Sequence, residues 1–395
     1  MNNMTVNRML ALALFTALFV FACQHDPQPD PAHVAEDLVA VFVDPATRQY
    51  LSAEIDRYVE DIQRDLGMEI RVFSQVFPGP GQVREELIRI ARADILHGVI
   101  LIGEIPAPLI EITGPTLMND LEYPSDMFYM DLEEGSWTDA DGNGKYEWEN
   151  LKYRVSPPEK LIWSGRIKPY NGDLDLLKAY FDRNHLYRTG QVSLPRSLFV
   201  YSPGQHWGPS ADKLEDYINN MKDDFTRDSL LYSNEQITLL VNASIKDFLS
   251  ELKKVRETVT VHCHGWHTSQ SLDSEAIDPN RIVYSSDIRE TRPKGYFYHL
   301  ISCGNGDYTQ EDYLAGHYLL DGNGLLCLAY STEAIMKGFE NSYELFPLLE
   351  RGLRYGEALV EFLRTPMVET NTNITTYPNW DFCTHLIGDP TLKFR

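Results

Sequence analysis

Basic residues are scarce in this chain: 35 Lys and Arg stand against 58 Asp and Glu, giving a formal charge of −23 over 395 residues. That shortage excludes nucleic acid or an anionic membrane face as the main partner, because both are bound through clustered cations. Acidity of this size keeps an exported protein soluble, and it attracts basic peptides. Cysteine is also scarce, with five in the chain. Apart from Cys23 they are Cys263, Cys303, Cys327 and Cys383, too scattered for a disulfide scaffold. Cys263 and Cys327 lie within apolar strand-like runs and read as small buried hydrophobes, and Cys383 fits either that role or a bridge. The apolar run from Met9 to Phe21 is too short to span a bilayer comfortably.

What is present begins with an export signal: one basic residue, Arg8, then that apolar run, then Ala22-Cys23. Val20-Phe21-Ala22-Cys23 resembles the bacterial lipobox, whose cysteine becomes a lipidated N-terminus; cleavage nearby without lipid is the alternative. Gln24 is not the aspartate of an inner-membrane retention signal, so an outer-membrane lipoprotein facing periplasm or cell surface is expected. Residues 24–36, rich in proline and polar side chains, suit a flexible tether. At 43% hydrophobic and 11% aromatic, the remainder is globular.

From Asp37 onward, short β-rich runs alternate with amphipathic ones, the rhythm of an α/β protein with a parallel sheet. DLVAVFVD, EIRVFSQVF and HGVILIGEIP read as strands, with helices over Pro45 to Gly67 and Gln82 to Ala93. The stretch Glu111 to Ile167 is irregular and rich in acids and aromatics, with Tyr123, Tyr129, Trp137, Tyr146 and Trp148 either lining a peptide groove or packing a loop on the sheet. A helix over Leu174 to Tyr187 leads to a boundary near Gly190, dividing an N-terminal subdomain, 37–190, from a catalytic one, 191–395. In the second, SLFVYSP, EQITLLVN and GLLCLAYS read as strands. Helices are expected over Ser210 to Phe225, Tyr313 to Leu320 and Tyr343 to Leu363, and one opened by a capping box at Ser244 and Asp247.

Two further strand-like runs carry the chemistry: TVTVHCHG stops at His264-Gly265, and YFYHLISCGNGDY has Cys303 at its end. Adjacent parallel strands ending this way place both side chains at the carboxyl edge of the sheet, where α/β folds bind ligands. A thiol attacks carbonyls as thiolate, and a nearby imidazole promotes that form. His264 would then protonate the leaving amine. The amides of Gly265 and Cys303 would hold the oxyanion, with Gly304-Asn305-Gly306-Asp307 as a flexible turn. Metal chemistry competes in two places. His262, His264 and His267 of HCHGWH suggest a zinc hydrolase, although no acid stands at a telling spacing. In DADGNGKYEWEN, Asp139, Asp141 and Asn143 match the early spacing of a calcium loop; position twelve is Asn150, with neighbouring Glu149 as a substitute ligand.

His264-Gly265, ISCGNGDY, GLLCLAYS and HLIGDPTLKF, with upstream GVILIGEIPAP, YPSDMFYMDL and IWSGRI, resemble the gingipain-type cysteine peptidases of the caspase-like clan over roughly Asp37 to Arg395. The resemblance implies a three-layer α/β/α sandwich with two side-by-side subdomains and mostly parallel sheets. It also implies endopeptidase activity on protein or peptide substrates with Cys303 and His264 as the dyad, a preference for Arg or Lys before the cut, and structural calcium. No cofactor is required for the chemistry. The chain departs from the family pattern after SLFVYSP, where an acid usually orients the histidine: Ser202 to Ala211 contains none. Asp212 is the first, and serves either as specificity acid or as a helix N-terminal charge. The family's long prosegment and C-terminal immunoglobulin-like regions are missing, so activation by loss of a large prodomain is not expected. A binding lipoprotein with an idle site is the competing reading of function.

Overall fold

The structure, a computed structural model, describes residues 35–112, 121–148, 160–204, 232–273, 278–332, 345–364 and 382–394. Cys23, Glu149, Asp212 and the helix expected over Ser210 to Phe225 lie outside them. In the first part of the chain, Asp37–Val43 (β1), Glu69–Phe73 (β2) and Ile95–Ile102 (β3) alternate with Pro45–Tyr50 (α1), Ser52–Leu66 (α2) and Pro80–Ala93 (α3). Leu109–Ile112 (β4) pairs with Leu121–Pro124 (β5); after Met127–Met130 (α4), Trp137–Thr138 (β6) pairs with Glu147–Trp148 (β7). Trp163–Ile167 (β8) and Leu174–Arg188 (α5) complete this part.

The second part opens with Leu198–Ser202 (β9), Ile237–Val241 (β10), Ile245–Leu252 (α6) and Arg256–His262 (β11). Three short strands follow, His264–Trp266 (β12), Ser269–Ser271 (β13) and Ile282–Tyr284 (β14), then Ser285–Thr291 (α7). Gly295–Ile301 (β15), Leu314–Leu320 (α8), Leu326–Tyr330 (β16), Tyr355–Arg364 (α9) and Thr384–Gly388 (β17) close the order.

Ten strands form one sheet in the order β10-β9-β11-β15-β16-β17-β8-β3-β1-β2. Every pairing is parallel except β16 with β17. The sheet is therefore two five-stranded parallel halves running in opposite directions, joined at one antiparallel seam. Buried residues follow one another without alternation in DLVAVFV of β1 and GYFYHLI of β15. Strands apolar on both faces need cover on both, which gives helices on each side of the sheet and an α/β/α sandwich.

Two helices expected as single pieces are broken. Asp44 caps α1 by accepting the Thr47 N–H at 3.0 Å, but buried Leu51 leaves helical geometry at φ −114°, ψ 33°, and α2 starts afresh. Gly67 at φ 67° ends α2. The Tyr343 to Leu363 stretch is helical over 345–350, stops at Gly352 with φ 85°, and resumes in α9 after the Arg354 N–H is taken by Glu357 at 2.8 Å. Ser244 caps α6 as its sequence indicated, its hydroxyl accepting the Asp247 N–H at 3.2 Å.

Tyr123, Tyr129 and Trp137 are buried, which is the packing role and not a groove; Phe128 packs on Tyr146 at a tilt, with ring centroids 4.1 Å apart. Among the described residues, no helix is long and apolar enough to cross a membrane.

Candidate active site

The site forms at the carboxyl edge of the half-sheet β10-β9-β11-β15-β16. β11 and β15 are parallel neighbours in register, with His262 opposite Ile301. The chain after β9 crosses to β10 on one side, and the chain after β11 proceeds to β15 on the other. Connections that diverge in this way open a crevice between β9 and β11.

β11 stops at His262, two residues earlier than its sequence suggested. The Cys263 N–H still donates to the Ile301 carbonyl at 3.3 Å, and the chain then turns into β12, which pairs antiparallel with β13 around the loop His267-Thr268. His264 thus opens a hairpin instead of ending a parallel strand. It is half-buried, whereas His262 is fully buried beneath it.

Gly265 brings the histidine hairpin onto the cysteine turn. A methyl group on Gly265 would lie 2.7 Å from the Cys303 carbonyl oxygen and from Ser302 Cβ, and 2.8 Å from Asn305 Nδ2. These are shorter than van der Waals contacts, so only glycine permits the approach. The Gly304 to Asp307 turn is pinned, contrary to the flexibility its glycines implied. Gly304, at φ +68°, donates its N–H to Thr332 O at 2.9 Å, and Gly306 donates to Tyr330 O at 2.8 Å.

Under these two pieces runs a buried polar network. Asn305 Nδ2 donates to Trp266 O at 2.6 Å and Ser269 O at 3.2 Å, both on the histidine hairpin. Gln270 Nε2 donates to Asn305 Oδ1 at 2.9 Å and Ser302 Oγ at 3.2 Å, while Tyr318 donates its hydroxyl to Gln270 Oε1 at 2.9 Å. Asn305, Gln270 and Tyr318 are fully buried. Fully satisfied networks of this kind fix one geometry. Sequence reading passes over Gln270 and takes Asn305 only as part of a turn; an uncharged polar residue in each of the two segments is the available signal.

The electrostatics separate the residues. Burial pushes His262 down to about 3, helped by His299, and pushes the Cys263 thiol up to about 12, so neither ionises near neutrality. Burial also lowers His264, with the Asp273 carboxylate acting in the opposite direction. Cys303 is half-buried, while Cys263, Cys327 and Cys383 are buried; among the described residues none of the four forms a disulfide, so Cys383 shows the buried role. Among the described residues, the HCHGWH histidines join no group of three metal-ligating side chains.

The described residues do bring together Glu111, Asp141 and Glu147, each with a carboxylate oxygen within 4.8 Å of the others. Of the residues named from sequence, only Asp141 belongs to this set. Asp139 accepts the Gly144 N–H at 3.0 Å, and Asn143 Oδ1 accepts the Lys145 N–H at 2.8 Å. An all-carboxylate set fits a hard cation such as calcium.

No protein-family model matches the chain, and no curated protein matches it. Solved structures do. The crystal structure of the Arg-specific cysteine proteinase gingipain R (RgpB) superposes with a TM-score of 0.62 at 15% identity, covering 93% of this chain and 80% of that one. The complex of Porphyromonas gingivalis RgpB pro- and mature domains gives 0.60 at 13% identity, covering 90% and 79%. The chain therefore has the gingipain-type, caspase-like fold.

Proposed function

We propose that this protein is a cysteine endopeptidase, with Cys303 as nucleophile and His264 as its acid and base. The observation that carries the reading is the close seat of Gly265 on the Cys303 carbonyl, which joins the His-Gly hairpin to the cysteine turn at the sheet's carboxyl edge. The Cys303 thiolate attacks the peptide carbonyl carbon, forming a C–S bond and an oxyanion that the Gly265 and Cys303 amides hold. The C–N bond breaks as His264 delivers its proton to the departing amine. Water, deprotonated by His264, then attacks the thioester; the C–S bond breaks, the acid is released and the thiolate returns. The gingipain fold and the negative surface together support protein or peptide substrates cut after Arg or Lys, with Asp212 as the acid for that side chain. Glu111, Asp141 and Glu147 would hold a structural calcium away from the chemistry. Export and tethering through a lipid on Cys23 belong to the same proposal.

The full chain and Cys303→Ala are compared on fluorogenic peptides with Arg or Lys before the cut, and by labelling with a thiol-reactive peptide. Cleavage and labelling lost together in the variant support the assignment. Hydrolysis retained by Cys303→Ala rejects it, and an unmodified chain that cleaves nothing indicates a binding protein with an idle site.

A further inference from the structure

The hairpin that follows His264 carries a carboxylate just beyond its returning strand. Ser271 lies directly opposite His264 in the β12–β13 ladder, and Asp273 stands two residues on, its N–H directed at Ser271 Oγ at 3.4 Å. The Leu272 residue between them is held on both sides. Its N–H donates to Arg281 O at 2.9 Å, and its carbonyl accepts Tyr201 OH at 2.8 Å and Arg281 Nη2 at 2.7 Å. Tyr201 is a buried residue of β9, and Arg281 is itself fastened to Asn242 Oδ1 at 2.6 Å and Ala243 O at 3.0 Å. The hairpin is thus clamped over the crevice between β9 and β11, with half-buried Asp273 on the side of His264. The carboxylate's field reaches both neighbours, opposing the effect of burial on the imidazole and adding to it on the Tyr201 phenol.

We propose that Asp273 is the positioning residue of His264, orienting the imidazole toward Cys303 and stabilising its protonated form. The inference rests on the peptidase reading above. It supplies, from the strand after the histidine, the acid that Ser202 to Ala211 lacks. The other ionisable groups around the pair are Cys303 across the site, Cys263 beneath it, Tyr201 and Arg281 beside Asp273, and His267 of the hairpin loop, which pairs with Asp307 of the cysteine turn at 3.1 Å.

Asp273→Asn and Asp273→Glu in the full chain test this by two routes. On peptide substrate, Asp273→Asn lowers kcat by about tenfold or more with KM unchanged, the scale of a compromised acid–base group. The alkaline limb of the pH profile moves to lower pH, because an imidazolium without its carboxylate releases its proton sooner; Asp273→Glu recovers part of both. Independently of any substrate, iodoacetamide alkylation of Cys303, followed by peptide mass mapping near neutral pH, slows in Asp273→Asn as the thiolate loses its cationic partner. An unchanged kcat and pH profile overturns the proposal. So does a KM increase confined to Arg and Lys peptides, which would make Asp273 a substrate ligand. If the unmodified chain cleaves nothing, the peptidase reading fails while the alkylation comparison still decides the role of Asp273.

Discussion

Tyr308 donates its phenolic hydroxyl to Asp126 at 2.8 Å, a contact spanning 182 residues of sequence. Tyr308 follows the Cys303 turn and Asp126 belongs to the N-terminal part, so the bond ties the cysteine loop to the opposite half-sheet. Asp126 is also bound by Arg166 of β8, through Nη2 at 2.6 Å and Nε at 3.0 Å, and the Arg166 guanidinium lies 4.2 Å from the Tyr308 ring centroid. All three are buried.

Asp126→Asn will therefore leave Arg166 as a buried charge without its counterion, and is expected to cost about 3–5 kcal/mol of stability. Denaturant unfolding measures this. Although burial pushes the Asp126 carboxyl up, Arg166 more than offsets it and holds the group below the usual carboxylate value. Its contribution is then present above the unfolded-state value and is lost as pH falls through the lower folded value. The acid side of the stability–pH curve flattens in the variant; an unchanged slope would assign acid unfolding to other carboxylates.

Gly265→Ala inserts a methyl group where 2.7 Å is available. The hairpin must move away from Cys303, and a displacement of about 1 Å at reacting groups costs roughly 100-fold in rate. We expect kcat/KM to fall by that order while the thermal midpoint falls only modestly, because the hairpin lies at the sheet edge. Activity within a few-fold of the parent would mean that the approach is incidental.

Gln270→Leu removes the amide that binds Asn305, Ser302 and Tyr318. Leaving buried polar groups without partners costs about 1–3 kcal/mol. Both stability and the rate of Cys303 alkylation should change, since Asn305 also holds the histidine hairpin. A stability loss with unaltered alkylation would separate the network from the site.

Calcium should raise the thermal midpoint of the full chain, and a chelator should lower it, without altering Cys303 alkylation. Glu147→Gln weakens the carboxylate set of Glu111, Asp141 and Glu147 and should abolish the difference. Equal midpoints with calcium and chelator would reject the ion.

The candidate pair, His264 and Cys303, stands out in the sequence because its signal is local: a β-rich run ending in His-Gly and another ending in Ser-Cys-Gly. The parallel rhythm followed from the alternation of strand and helix patterns. What escaped was non-local or too short. β12 and β13 have three residues each, too few to display a period, so the sequence pattern runs His264 into the end of β11. Asp273 lies nine residues beyond His264 and becomes its neighbour only through the hairpin register. The set Glu111, Asp141 and Glu147 joins two hairpins, which a linear ligand pattern does not capture.

β17 is the last strand among the described residues, yet it sits at the centre of the sheet, bonded to β16 on one side and β8 on the other. A nascent chain that has left the ribosome as far as β16 has one complete half-sheet and four strands of the other, with no strand to join them. Thr384–Gly388 therefore acts as a keystone in time as well as in space: sheet closure waits on a strand made after all the others described. A stop before these residues would release two unjoined apolar edges, a fate for quality control and not a folded protein with a weakened site.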